Sequence, residues 1–272
     1  MKNKSDNEQY LLILSAFEEL IDRIGTDDVD IWHIIEVLAE IRAEYLFSIV
    51  ADGMFMTYEV ALQIVRDNIN KRKDEVTDNK AIVLVSALEN IIEFSVSQQY
   101  QMIREMPEIF SEDNFEDEVE PIFYKYNLLY ATVEDNSVEQ SAIVAFVLSM
   151  IQDNEMLQFT TQRDEKVRFE HSILDGISYR KSDFPSELIP PIDYNCRCFL
   201  VSTGNLLTDS DALKTQNEKV WRQYVNPIFS ESLHNGGKIF SSNHPYFAIQ
   251  VAHEESISDI IERITGKFIG EQ

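Results

Sequence analysis

Residues 190–198, PPIDYNCRC, contain the only two cysteines of the 272-residue chain. Cys196 and Cys198 stand one residue apart behind a pair of prolines and an asparagine, a composition that predicts a rigid turn. The apolar, β-branched run that follows, CFLVST (198–203), predicts a strand entering a core. Three interpretations are open for this turn: half of a metal site, a catalytic thiol, or a structural lock. A disulfide between the two cysteines would close a strained ring, so we expect free thiols.

The composition limits the classes of function. Hydrophobic residues make up 44% of the chain, which predicts an ordered globular protein. The net charge of -25 repels phosphate backbones and disfavours a nucleic-acid-coating role, but it suits a basic partner surface. We find no secretory signal and no stretch of about 20 apolar residues. These features predict a soluble protein of the reducing cytoplasm without a membrane partner.

The first 120 residues predict a helical bundle. No proline precedes Pro107, whereas six of the eight glycines lie at or after Gly176. Apolar residues recur at spacings of three and four in four stripes, at 10–24, 31–45, 58–69 and 81–92, which we expect to pack on one another as a core. Gly25 should end the first helix, Thr26 or Asp27 should cap the second, and Thr77 or Asp78 should cap the fourth.

A change of character marks the second half of the chain. The carboxylate-rich stretch SEDNFEDEVEP (111–121) predicts a solvated boundary, and Ser137 with Gln140 has the spacing of a helix capping box. Asp175-Gly176 has the composition of a hairpin turn. PYFAIQV (245–251) predicts a strand, and a last helix should be capped by Ser256. The fold class is therefore α+β: an N-terminal helical bundle followed by a small α+β module with short antiparallel strands.

Two nearby stretches gather the polar residues that could carry chemistry. They contribute Asp164, Arg168, His171, Asp175, Asn195, Cys196, Arg197 and Cys198. Cys196, Cys198 and His171 are candidate zinc ligands, and Asp164 or His244 could complete a tetrahedron. A structural zinc usually uses spaced pairs of ligands, and the chain has no second pair of cysteines. We therefore expect no cofactor. If this set of residues holds a metal, that metal is zinc.

Two other interpretations use the same residues. Cys196 or Cys198 with His171 as base has the composition of a thiol dyad, although no glycine-rich oxyanion turn is nearby. Alternatively the thiols are buried structure, and Arg168 or Arg197 pairs with Asp164 or Asp175 to hold a compact fold. We favour the structural interpretation.

The run from Leu157 to Val201 resembles the phage Mu F-like family, also called the phage head morphogenesis or minor head protein family. The family pattern is a threonine-rich strand, then D-x-x-V-R-x-x-H-x-x-L-D-G and, after a variable loop, P-P-x-x-x-N-C-R-C. The matching residues of the first block are Thr161, Asp164, Val167, Arg168, His171, Leu174, Asp175 and Gly176. Those of the second block are Pro190, Pro191, Asn195, Cys196, Arg197 and Cys198. The resemblance covers roughly residues 121–250.

The resemblance implies a non-enzymatic minor head (capsid) protein that acts in head morphogenesis at or near the portal, with an expected role in DNA packaging or ejection. Its partners would be portal or capsid proteins, and its contact with phage DNA would be indirect. It would be located in the virion and, during assembly, in the host cytoplasm. The implied organisation is an acidic helical domain (1–120), a Mu F-like module (121–203) and a C-terminal extension (204–272). Many relatives carry a C-x-x-C pair where this chain has Arg168 and His171, which removes two thiolates. Because some relatives are fused to toxins, the alternative is a phage-delivered effector or enzyme using Arg168, His171 and Cys196.

Overall fold

The structure, a computed structural model, describes residues 6–24, 30–72, 75–107, 114–204 and 221–270. Its first half contains four helices, and their bounds confirm the four apolar stripes. They are α1 (Asp6–Ile21), α2 (Ile31–Gly53), α3 (Tyr58–Asn68) and α4 (Asn79–Glu105).

The helix caps agree with the sequence only in part. The Asp78 side chain accepts a hydrogen bond from the Lys80 backbone N–H and begins α4, as predicted. Asp30 begins α2 in the same way, accepting from the backbone N–H of His33. The predicted signals Gly25, Thr26 and Asp27 lie outside the described residues.

A nearly continuous helical segment follows the bundle and alternates between two helix types. It comprises a π-helical turn (Phe115–Val119), α5 (Glu120–Tyr124), a second π-helical segment (Lys125–Tyr130) and α6 (Ala131–Ser149). The capping box predicted at Ser137 is wrong, because Ser137 lies inside α6. Its hydroxyl donates back to the Val133 carbonyl, 3.1 Å away.

Three short strands form one antiparallel sheet in the order β2-β1-β3, which confirms the α+β class. They are β1 (Met156–Thr160), β2 (Ser178–Arg180) and β3 (Phe199–Gly204), and a short helix, α7 (Phe169–Leu174), lies between β1 and β2. Leu157 of β1 pairs with Tyr179 on one side and with Ser202 on the other. The hairpin predicted at Asp175-Gly176 is wrong, since these residues join α7 to β2.

The C-terminal segment consists of successive 3-10 turns followed by α8 (Glu254–Ile269). The strand predicted at 245–251 is wrong: Pro245–Phe247 and Val251–His253 are 3-10 turns whose aromatic residues pack against α4. Phe94 of α4 contacts Tyr246 there, so packing rather than strand pairing fixes this segment. Ser256 lies inside α8, whose N-cap is His253, so the predicted cap is also wrong.

Two hydrophobic cores organise the described residues. The large core joins α1–α4 and α6 to the C-terminal turns and α8. The small core lies under the sheet and includes Phe159, Leu174, Trp221 and both cysteines. The domain boundaries near 120 and 203 remain predictions, and the large core contains residues from both sides of each.

Helix α4 is long and apolar enough to cross a membrane, which the sequence reasoning did not anticipate. Of its most apolar window, 78% is buried inside the fold, as in the core helix of a soluble protein. Its interior face also carries buried Gln98 and Gln99. The length and composition of α4 are therefore weak evidence for a membrane span.

A buried polar network lies at the centre of the bundle. The Arg42 guanidinium of α2 lies 2.6 Å from Asp135 and 3.6 Å from Glu134 of α6. Gln98 of α4 donates to Glu134 over 2.6 Å and accepts from Arg42. Because a buried charge is costly unless it is paired, this network constrains how α2, α4 and α6 pack.

Candidate functional site

The fold brings the two motif blocks together beside the sheet. The first block runs from the end of β1 through α7, and the second is the turn that leads into β3. Pro190 and Pro191 are joined by a cis peptide bond, and Asn195 adopts a positive φ of 52°. Asn tolerates this left-handed conformation better than most residues do, which accounts for its place before Cys196.

His171 and the two cysteines converge in the small core. His171 Nδ1 lies 3.3 Å from Cys198 Sγ and 3.9 Å from Cys196 Sγ, and all three side chains are buried. Neither cysteine forms a disulfide, so the expectation of free thiols is confirmed. Of the predicted fourth ligands, Asp164 pairs with Arg197 and His244 contacts Tyr194, so neither belongs to this cluster.

The pKa values of the two thiols shift in opposite directions. Hydrogen bonds from Cys198 and His171 lower the pKa of the Cys196 thiol well below its usual value, against the effect of burial. The hydrogen bond with Cys196 and burial raise the pKa of Cys198. These opposite shifts favour Cys196 over Cys198 as the thiolate, which is the form that binds metal or acts as a nucleophile.

The three-residue cluster fits the geometry of zinc. Its ligand atoms all lie within 4.8 Å of one another. In a tetrahedral site with Zn–S near 2.3 Å and Zn–N near 2.0 Å, neighbouring ligand atoms lie about 3.5–3.8 Å apart. His171, Cys196 and Cys198 would hold the ion, and the fourth position would be left to water or another ligand. A bound zinc would keep both sulfurs as thiolates and tie α7 to the 190–198 turn.

The purified chain is expected to bind one Zn²⁺ ion per molecule because three ligands are already positioned. Metal analysis after dialysis tests this, with a rise in the melting temperature as a second readout. Cys198→Ser and His171→Ala should each abolish binding, whereas His33→Ala, at an exposed histidine, should not. A stoichiometry near zero in a folded protein would leave the cluster as a structural lock alone.

Two arginines connect the motif blocks, as the structural interpretation requires. Arg197 forms two hydrogen bonds with Asp164, of 2.8 and 2.7 Å. Arg168 contacts Asp193 and donates to the Tyr194 carbonyl over 2.6 Å. The predicted pairing of Arg197 with Asp164 is thus present, while Arg168 takes a partner that the sequence reasoning did not single out.

Asp175 and Gly176 stabilise the end of β1. Asp175 accepts a hydrogen bond from the Thr161 backbone N–H over 2.8 Å and pairs with Arg163, not with Arg168 or Arg197. Gly176 has a φ of +92°, which a residue with a side chain rarely adopts, and its N–H donates to the Phe159 carbonyl. These two residues therefore position the strand from which the first block starts.

Asp164 should titrate at low pH. Its hydrogen bonds with Arg197 lower its pKa to about 2. Because the folded pKa is depressed, the pair's contribution to stability is present above about pH 4 and is lost as the pH falls through 2. In Arg197→Gln the NMR titration midpoint of Asp164 should rise toward about 3.9, whereas Arg163→Gln should leave it in place. An unchanged midpoint in Arg197→Gln would contradict the pairing.

A groove of about 600 Å³ runs along the other side of the cysteines, between α6 and the 190–198 turn. Gln140 of α6 donates to the Cys198 carbonyl over 2.8 Å, and Asn136 donates to the Asn195 side chain. On the side of His171 and Arg168, the cavity measures only about 20 Å³. Among the described residues, the α6 side therefore offers a ligand the wider approach to the sulfurs.

No family model, curated protein or solved structure matches the chain. The resemblance to the Mu F-like family accordingly depends on the two motif blocks themselves. Sequence reasoning missed Asp193, Tyr194 and Gln140 as members of the site. The first two stand inside the quoted 190–198 stretch, where Asp193 is a carboxylate four residues from Arg197.

Proposed function

We propose that this chain is a non-enzymatic phage minor head protein that acts in head morphogenesis at or near the portal. One observation supports the proposal above others: residues far apart in sequence, and matching both motif blocks, contact one another. Asp164 pairs with Arg197, and His171 contacts Cys198. Motif residues that also contact one another in the structure are a more specific signal than a match in sequence alone.

The charge of the chain supports a protein partner. At -25 it opposes close contact with DNA and favours a basic surface on a portal or capsid subunit. Contact with phage DNA would then be indirect, through the proteins that enclose it. The chain would be found in the virion and, during assembly, in the host cytoplasm.

Deletion of the gene from the phage that carries it tests the proposal. The yield of DNA-filled heads should fall, and a plasmid copy of the wild-type chain should restore it. Arg197→Ala with Asp164→Ala should restore it less well, while Arg72→Ala, at an exposed arginine of the bundle, should act as wild type. An unchanged yield of filled heads after deletion would contradict the proposal.

The second candidate, a delivered effector or enzyme, is favoured by one observation. Cys196 has a lowered pKa, lies 3.9 Å from a histidine nitrogen and borders the 600 Å³ groove. These are features of an activated thiol. Arg168 does not belong to this arrangement, because it pairs with Asp193 instead.

Alkylation separates the two candidates. An effector should react rapidly with iodoacetamide at Cys196 near neutral pH and should be toxic when expressed in bacteria, with toxicity lost in His171→Ala and in Cys196→Ser. A head protein should be slow to react because the thiol is buried, and should be equally harmless in all three forms. Slow alkylation with no toxicity would reject the effector.

A further inference from the structure

Another cavity lies beside the buried polar network and has Glu134 in its wall. It measures about 530 Å³ and opens between α4, the π-helical segment, α6 and the C-terminal turns. Its walls include Tyr126, Tyr130, Tyr194, Tyr246, His244 and Glu134, and we call it the tyrosine pocket. Its volume falls in the range of ligand sites, and π-helical segments are frequent at functional sites.

One wall of the tyrosine pocket already holds a cation. The Lys125 ammonium lies 5.2 Å from the ring centre of Tyr126 and 5.6 Å from that of Tyr130. Glu105 accepts its hydrogen bond over 2.5 Å. Ring faces together with a carboxylate are the groups that hold ammonium and guanidinium ions in proteins.

A second set of lining residues offers the same groups to the cavity. Tyr194, Tyr246 and Glu134 line it, and among the described residues no cation lies over the ring of Tyr194 or Tyr246. Burial lowers the pKa of His244 to about 4, so its ring is neutral at pH 7. Since the Tyr246 N–H donates to its Nδ1, Nε2 is the protonated nitrogen and faces Tyr194.

The carboxylate of this pocket shares a cation with the neighbouring carboxylate. Arg42 is the cation that faces both Glu134 and Asp135, and it lies closer to Asp135. Desolvation raises the pKa of Glu134 to about 7, although Arg42 and the hydrogen bonds of Tyr246 and Gln98 oppose the rise. A further positive charge placed in the pocket would stabilise this carboxylate in its ionised form.

We propose that the tyrosine pocket binds a cationic side chain, an arginine or lysine on a basic segment of a partner protein, between Tyr194 and Tyr246 with Glu134 as its counter-charge. Charge complementarity selects this occupant, because the chain carries a net charge of -25 and the pocket pairs aromatic rings with a carboxylate. The inference rests on the proposed function only for the identity of the partner as a head component.

Titration with a blocked tripeptide that has a central arginine tests the proposal, with the same peptide carrying citrulline as the neutral probe. The whole chain is labelled with 3-fluorotyrosine, and the resonances are assigned by Tyr→Phe variants. The arginine peptide should shift the Tyr194 and Tyr246 resonances saturably, and the citrulline peptide should bind at least about tenfold more weakly.

Two variants localise the binding, and one controls for general attraction to an acidic protein. Glu134→Gln should weaken the arginine peptide at least about tenfold. Val133→Arg places the chain's own guanidinium in the wall of the pocket. It should also weaken the binding of the arginine peptide, and it leaves the residues of the buried network unchanged. Glu139→Gln removes one charge from the exposed face of α6 and should change the affinity less than about twofold.

Equal affinity for the two peptides would overturn the proposal, as would an equal loss in Glu139→Gln and Glu134→Gln. So would wild-type affinity in Val133→Arg with its fold intact. The experiment uses purified protein and no phage component. Failure here would therefore leave the head assignment standing, and binding here would survive the loss of that assignment.

Discussion

Arg42→Met should lower the free energy of unfolding by about 3–5 kcal/mol. The side chain is 2% exposed, and its removal would leave Glu134 and Asp135 buried without their shared cation. Breaking a buried pair on one side is far more costly than replacing all of its members. Chemical denaturation of the variant against the wild type at pH 7 measures the difference.

Two further variants interpret that result. Arg263→Met breaks an ion pair with Glu36 in which the arginine is half exposed, and it should cost less than about 1 kcal/mol. Adding Glu134→Gln and Asp135→Asn to Arg42→Met should recover part of the loss, because the uncompensated charges are then gone. A loss below about 1 kcal/mol in Arg42→Met would show that the network does not stabilise the bundle.

Phe240→Ala should lower the free energy of unfolding by about 3–5 kcal/mol. The ring is buried, stacks on Phe94 of α4 with centroids 4.3 Å apart, and contacts Phe229. The backbone of Phe240 is also fixed, since Asn90 of α4 both accepts from its N–H and donates to its carbonyl. The lost contacts therefore join the C-terminal segment to the helical bundle.

The form of the transition is as informative as its midpoint. If the two regions share one core, fluorescence and circular dichroism should report a single unfolding transition that shifts as a whole in Phe240→Ala. Phe169→Ala, at a ring that is 72% exposed, should change stability by less than about 0.5 kcal/mol. A separate early transition confined to the C-terminal segment would contradict the shared core.

The helical half of the fold was predictable because its signal is local. The apolar stripes around Phe17, Leu38 and Leu88 need only the period of a helix and a partner face, and Asp78 needs only the backbone N–H groups that follow it. The C-terminal turns were not predictable in the same way. PYFAIQV has the composition of a strand, but the contacts of Tyr246 and Phe247 with Phe94 determine its conformation.

The candidate site was predictable to a similar extent. The spacing of His171, Cys196 and Cys198 suggested ligands, and the fold brings their atoms together. The tyrosine pocket left no comparable signal, because its walls come from Gln101, from residues 125–134, from Tyr194 and Ile228, and from residues 244–246. Tyr126, Tyr130 and Glu134 do recur at a spacing of four, yet only tertiary packing shows that their shared face borders a cavity.

Quantitative mass spectrometry of purified phage particles tests the central claim most directly, by comparing the number of copies of this chain with that of portal subunits. Mature particles and assembly intermediates should both be measured. The account predicts a low and fixed ratio to the portal, as expected for a minor component at one vertex of the head. Absence of the chain from particles at every stage of assembly would contradict it.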